Sequence, residues 1–154
     1  MARVHDIEVR LAKWHRASKL SQLLATIPGI GIMGATAIAA TVTDPTLFRS
    51  GREFAAWLGM TPRQNSSGGK ERLGRTSKRG DKYIRCLLIS GAVAVLRHTR
   101  NRTTKHAAWV QALLTRRPAK VAAVVLANKA ARIAWAVMTR GEAYRSKDVI
   151  GQAA

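Results

Sequence analysis

The run VAAVVLANKAARIAWAVM, Val121 to Met138, limits the fold more than any other stretch of this chain. It is long and rich in alanine and valine, with Pro118 just before it and Gly141 just after. That punctuation predicts a long last helix with Pro118 in its first turn and its end near Gly141. Lys129 and Arg132 interrupt the run. No stretch therefore approaches the roughly 18 to 20 uninterrupted apolar residues that cross a bilayer.

The other apolar segments also have helical period or helical punctuation. Val4, Ile7, Leu11 and Trp14 recur at steps of three and four, which predicts an amphipathic first helix running to about Ala25. Its stripe is open at the N-terminus, as in a docking helix or the end of a longer one. IPGIG, Ile27 to Gly31, reads as a turn into the small-residue helix IMGATAIAATV, which stops at Thr43 to Pro45. Ser50 and Glu53 have capping-box spacing, so a short helix should carry Phe54, Trp57 and Leu58 inward and end at Gly59. Asp81 suits the N-cap of a helix through YIRCLLISGAVAVLRH, and a further helix surrounds KHAAWVQALL. No strand-like alternation or internal repeat stands out. The expected class is mainly α: a compact helical domain with a helix-hairpin-helix-like element and a long N-terminal helix suited to a coiled coil. The expected divisions are a linker helix over 1–25, a helical domain over 26–141 and a flexible tail over 142–154. The single cysteine, Cys86, cannot form an internal disulfide, and in CLLISGAV it reads as a buried structural thiol.

Charge narrows the partner. Lys and Arg number 27 against 8 Asp and Glu, a formal net charge of +19, and such an excess calls for a polyanion. Between Asp81 and Glu142 there are twelve Lys and Arg and no acid. Nucleic acid is favoured over a membrane. No signal peptide opens the chain, since Asp6 and Glu8 stand where its apolar core would be, and a cytoplasmic location is expected. At the IPGIG turn, Gly29 and Gly31 would let backbone N–H groups reach a phosphate at the start of a helix. The alternative is an ordinary tight turn between packed helices. The eight acids form no cluster that could hold divalent ions, and the four histidines have no metal-ligand spacing. No metal or cofactor is expected in this chain.

NSSGGKERLGRTSKRGDKYIR, Asn65 to Arg85, combines two adjacent serines, four glycines and seven basic residues with two acids. A serine hydroxyl can attack phosphorus once its proton is removed and cations neutralise the growing charge. Arg63, Lys70, Arg72, Arg75, Lys78, Arg79, Lys82 and Arg85 could supply those cations. The same composition also describes a solvated loop, and the residues alone leave both readings open.

Taken together, IPGIG, then DP..F.S...FAAWLG..P, then SSGGK, then G..SK.G...IR resemble the C-terminal transposase domain of the insertion sequence 110/116/902 type transposases. The likeness runs from about Leu24 to Arg140. It implies DNA recombination, guided in some members by a structured RNA. It also implies a serine that attacks the DNA backbone, falling on Ser66, with Ser67 as the alternative. Thr76 departs from the aliphatic residue that the pattern carries before SK. In the family a resolvase-like N-terminal domain holds a divalent metal on four carboxylates. No such carboxylate set occurs here, so this chain is expected to be a truncated transposase or an isolated C-terminal domain. The first helix would then be the end of the helix that links the two domains, suited to pairing with a second copy. Expected partners are DNA and a guide RNA. A non-catalytic module that holds DNA or RNA is the alternative.

Each phosphate neutralised by such a surface releases counterions. The affinity for a short duplex is expected to fall at least about tenfold between 50 and 200 mM salt, which a filter-binding titration measures.

Overall fold

A computed structural model of the chain describes residues 2–64, 69 and 73–146. Among these there are seven α-helices, one 3-10 turn and one two-stranded antiparallel hairpin, so the class is mainly α, as expected. The helices are α1 (Ala2–Ala17), α2 (Lys19–Leu24), α3 (Ile32–Thr41), α4 (Gly51–Trp57), α5 (Lys82–Thr99), α6 (Lys105–Arg116) and α7 (Ala119–Arg140). The hairpin strands are β1 (Pro62–Gln64) and β2 (Leu73–Thr76).

The last helix organises the core. Its alanines Ala122, Ala123, Ala127, Ala131 and Ala134 are all buried, and such small side chains let neighbouring helices come close. α5 and α4 pack directly on it. The first residue of α4 rests on its backbone: a Cβ added to Gly51 would lie 3.0 Å from the Arg132 carbonyl oxygen. α7 is long and apolar enough to cross a membrane by length and composition, but its alanine face is covered by the other helices. Side chains of α7 also bind loops. The Trp135 indole N–H donates to the Pro45 carbonyl at 3.1 Å, and the Asn128 amide donates to the Met60 carbonyl at 3.4 Å.

Helix starts follow the expected chemistry. The Asp81 carboxylate accepts from the Ile84 N–H at 2.8 Å, and the Ser50 hydroxyl accepts from the Glu53 N–H at 3.3 Å. Glu53 completes its side of the box one residue early, accepting from the Arg49 N–H at 2.7 Å. Pro118 stands at the N-cap of α7, just outside the first turn, and Gly141 ends that helix in left-handed geometry. Asp44 caps the 3-10 turn, where the Thr46 hydroxyl and backbone N–H hold its carboxyl below the usual carboxylate range.

Several expectations need correction. The first helix does not continue to Ala25. It ends at Ala17, and Ser18 caps a new helix by accepting from the Ser21 N–H. The apolar stripe of α1 faces solvent, with Val4, Ile7 and Trp14 all exposed. Cys86 is exposed rather than buried. The buried row of α5 is Ile84, Leu88, Ala92 and Leu96, spaced by four, and a residue two positions from that row points to the opposite side at about 100° per residue. Trp57 stays 39% exposed. It stacks on Phe54 with ring centroids 5.8 Å apart and leans on Phe48, so it covers the core rather than entering it. The two strands were also not anticipated.

The IPGIG turn packs on the middle of α5. Gly29 has φ +87, and a Cβ added to Gly91 would lie 1.7 Å from the Gly29 carbonyl oxygen. This explains a glycine inside a helix, where it costs about 1 kcal/mol relative to alanine. Further along the chain, the Tyr144 N–H donates to the Thr26 hydroxyl at 2.9 Å, and the Tyr144 ring lies half-buried against the core.

Gly91→Ala is expected to lower stability by at least about 3 kcal/mol, because a methyl group cannot share space with a backbone carbonyl. Gly31→Ala, whose Cβ would meet nothing within 4 Å, should cost less than about 1 kcal/mol. Urea denaturation of both variants measures the difference.

Candidate nucleic-acid interface

The candidate region is built where α4 ends. Leu58 closes that helix and Gly59 turns the chain with φ +74. Segment 77–80 then returns against the turn. The Ser77 N–H donates to the Thr61 carbonyl at 2.9 Å, and the Lys78 N–H donates to the Gly59 carbonyl at 3.1 Å. Contact is backbone on backbone in both directions. A Cβ on Gly59 would lie 2.0 Å from the Arg79 oxygen, and one on Gly80, which has φ +97, would lie 1.7 Å from the Trp57 oxygen. Lys78 itself takes left-handed geometry, with φ 52, at a cost of about 1 kcal/mol for a residue with a Cβ. The strands leave this knot as an antiparallel pair, Pro62 opposite Thr76 and Gln64 opposite Leu73, with an irregularity between them.

Two of the expected cations are partly committed to the fold. The Arg85 guanidinium donates to the Leu58 carbonyl at 3.0 Å, an acceptor that the end of α4 leaves open, and to the Arg79 carbonyl of the returning segment at 3.5 Å. The Arg63 guanidinium donates to the Ser77 carbonyl at 3.2 Å, tying β1 to the returning segment. Lys78, Arg79 and Lys82 are exposed at the same place. Arg75 belongs to β2. Ser66, Ser67, Lys70 and Arg72 lie outside the described residues.

Gly29 and Gly31 stand apart from this group. Gly29 meets α5 at Gly91, ten residues beyond the cap Asp81 or about 15 Å along the helix. Its close approach is to the α5 backbone. Gly31 is exposed at the N-cap of α3, with φ −83.

A serine and a histidine do meet elsewhere. His15 Nδ1 and the Ser21 hydroxyl are 2.7 Å apart. Ser21 is fully buried, so the pair cannot reach a substrate, and it serves to fasten α1 to α2. Among the described residues no group of three or more His, Cys, Asp or Glu stands together to hold a metal ion. Asp44, Glu53 and Asp81 are committed as caps.

Sequence reasoning did not assign a site to the cations of α7. Lys120, Arg132 and Arg140 belong to one row spaced by four, through Val124, Asn128 and Ala136, and the whole row borders an open groove. That spacing was available in the sequence, although the abundance of alanine and valine around it conceals the row.

The chain belongs to the transposase IS116/IS110/IS902 family, whose model matches residues 21–108. The match begins within α2, takes in α3 to α5 and the hairpin strands, and ends in the first turn of α6. The "Probable family 20 transposase" of Pseudomonas aeruginosa is 51% identical over 144 residues, which is 94% of this chain and 43% of that protein. The transposase for insertion sequence element IS1111A of Coxiella burnetii is 44% identical over 142 residues, 92% of this chain and 39% of that protein. The transposase for insertion sequence element IS1328 of Yersinia enterocolitica is 40% identical over 141 residues, 92% of this chain and 42% of that protein. This chain thus spans about two fifths of the length of these curated relatives.

Arg85→Leu is expected to lower stability by about 1 to 3 kcal/mol, since it removes a charged donor from the Leu58 carbonyl at the end of α4 and from the Arg79 carbonyl. Lys82→Ala, at an exposed position, should change it by less than about 0.5 kcal/mol. Comparison of urea midpoints separates structural from surface cations.

Proposed function

We propose that this chain is the DNA-binding and strand-transfer part of an insertion-sequence transposase, with Ser66 as the attacking group. The observation that carries the reading is the family match over residues 21–108, which spans Ser66. The positions on either side of residues 65–72 are paired strands, Gln64 opposite Leu73, and the base of that hairpin carries Arg63, Lys78 and Arg79. Ser66 Oγ would bond to a backbone phosphorus as the bond from that phosphorus to a deoxyribose oxygen breaks. The hydroxyl proton leaves to a base or solvent, and the departing sugar oxygen takes one up. One phosphodiester is exchanged for another, so the step can be reversed onto a new strand. Lys70, Arg72, Arg75, Lys78, Arg79 and Lys82 would neutralise phosphate charge, along with the remaining donors of Arg63 and Arg85. The turn carrying Gly29 and Gly31 would act as a sequence-blind grip on the DNA backbone, as in a helix-hairpin-helix element.

The wider reading follows the family. A divalent metal would belong to a separate carboxylate-bearing domain, and a guide RNA would be a second nucleic-acid partner. The solvent-facing stripe of α1, with Val4 and Ile7 each 61% exposed, would pair with another copy of the chain. A cytoplasmic site of action fits DNA as substrate. A second reading, a module that holds DNA or RNA without reacting, draws on the net charge of +19.

Ser66→Ala divides the two readings. Denaturing gels on element-end DNA, with and without a supplied N-terminal domain, should show a covalent protein–DNA adduct for the wild type that Ser66→Ala abolishes. Equal adduct levels from both proteins would remove Ser66 from the reaction.

A further inference from the structure

An open groove of about 1590 Å³ runs along α7, bordered by the base of the hairpin and by the residues that follow Gly141. It is larger than small-molecule pockets, which occupy about 300 to 1,000 Å³, and so calls for an extended ligand. Met60, Pro62, Gly74 and Thr76 belong to its lining, and the Met60 carbonyl is held by Asn128 midway along α7. The rim carries Arg52, Lys78, Lys120, Arg132, Arg140 and Arg145, all exposed, against Glu142 as the one acid among its described residues. A further lysine, Lys129, has its ammonium 4.1 Å from the ring centroid of Trp109, which is itself part of the lining. Between the cations the surface is apolar. Val121 and Val125 are 44% and 37% exposed, one turn apart, next to Val124 and Ile133.

We propose that this groove binds a single-stranded stretch of nucleic acid, its phosphates on the cationic rim and its bases lying on the valine and tryptophan floor. The charge complementarity selects a polyanion. The apolar floor then selects the strand form: a duplex presents phosphates and base edges and keeps its base faces stacked inside, whereas an unpaired strand offers those faces to apolar and aromatic side chains. The inference rests on the reading of this chain as a nucleic-acid-handling transposase part and adds to it a second contact, along α7. Single-stranded DNA and single-stranded RNA share this chemistry, and the test distinguishes them.

The test is fluorescence polarisation with labelled dT15, U15 and a 15-base-pair duplex, on proteins whose folding is checked by circular dichroism. The double variant Val121→Asp/Val125→Asp is expected to weaken binding of dT15, U15 or both at least tenfold while changing duplex binding less than twofold; the more affected strand names the source. Lys120→Ala/Arg132→Ala should weaken single-strand binding and reduce its salt slope by about 1.4, near 0.7 for each lost phosphate contact. Val125→Trp enlarges the floor and should tighten single-strand binding at least threefold, and it alone decides if the double aspartate variant does not fold. Unchanged single-strand affinity in the floor variants overturns the proposal, and so does an equal loss on the duplex. A floor-dependent preference for polyglutamate over dT15 also overturns it, in favour of an acidic protein partner. Loss of the covalent adduct in Ser66→Ala reports on the serine, and loss of single-strand affinity in the floor variants reports on the groove, so failure of either reading appears in a different measurement.

Discussion

Backbone lying directly on backbone is the contact on which this fold depends. It occurs where α4 ends: Trp57 and Gly59 meet Gly80 and Arg79 with no room for a Cβ at either glycine. Everything that follows is placed by this knot. It turns the chain into β1, receives the chain back from β2, and sets the residue before the Asp81 cap of α5. α4 is in turn seated on α7 by Gly51, so the hairpin base is referred to the alanine face of the longest helix. Side chains of the usual size at these points would push the elements apart and leave the apolar faces of α4, α5 and α7 partly open to water.

The knot also divides the cations by role. Arg85 and Arg63 give hydrogen bonds to main-chain carbonyls that the turn would otherwise leave unpaired, whereas Lys78, Arg79 and Lys82 point to solvent. A basic motif read as a uniform phosphate-binding segment is therefore part scaffold and part contact surface. Loss of function on removing Arg85 would mix the two effects. Loss on removing Lys82 would not.

Short-range chemistry was the legible part of the sequence. Asp81 and Ser50 cap helices because the groups they bond lie three residues away, and Gly141 ends α7 for an equally local reason. The strands were not legible: they are three and four residues long, show no alternation, and are held by a knot whose two halves are about twenty residues apart in sequence. Cys86 was misjudged because an unbroken apolar run conceals which phase of the helix is buried, and the phase is set by packing on α7. The glycines of the IPGIG turn were legible as a close approach, but the partner was not, since Gly91 lies sixty residues further on. Ser66 stood out through its company in the motif, not through any property of the residue itself.

One consequence concerns α5. It carries the knot at its first turn and the IPGIG turn ten residues later at Gly91, and both attachments are made by main chain. The helix therefore acts as a ruler between the hairpin base and the loop before α3, with a gauge of about 15 Å fixed by helical rise. Substituting side chains along α5 cannot reset that gauge. Only adding or removing residues between Asp81 and Gly91 would, and each such change would also rotate one attachment around the helix by about 100°, so distance and direction are locked together.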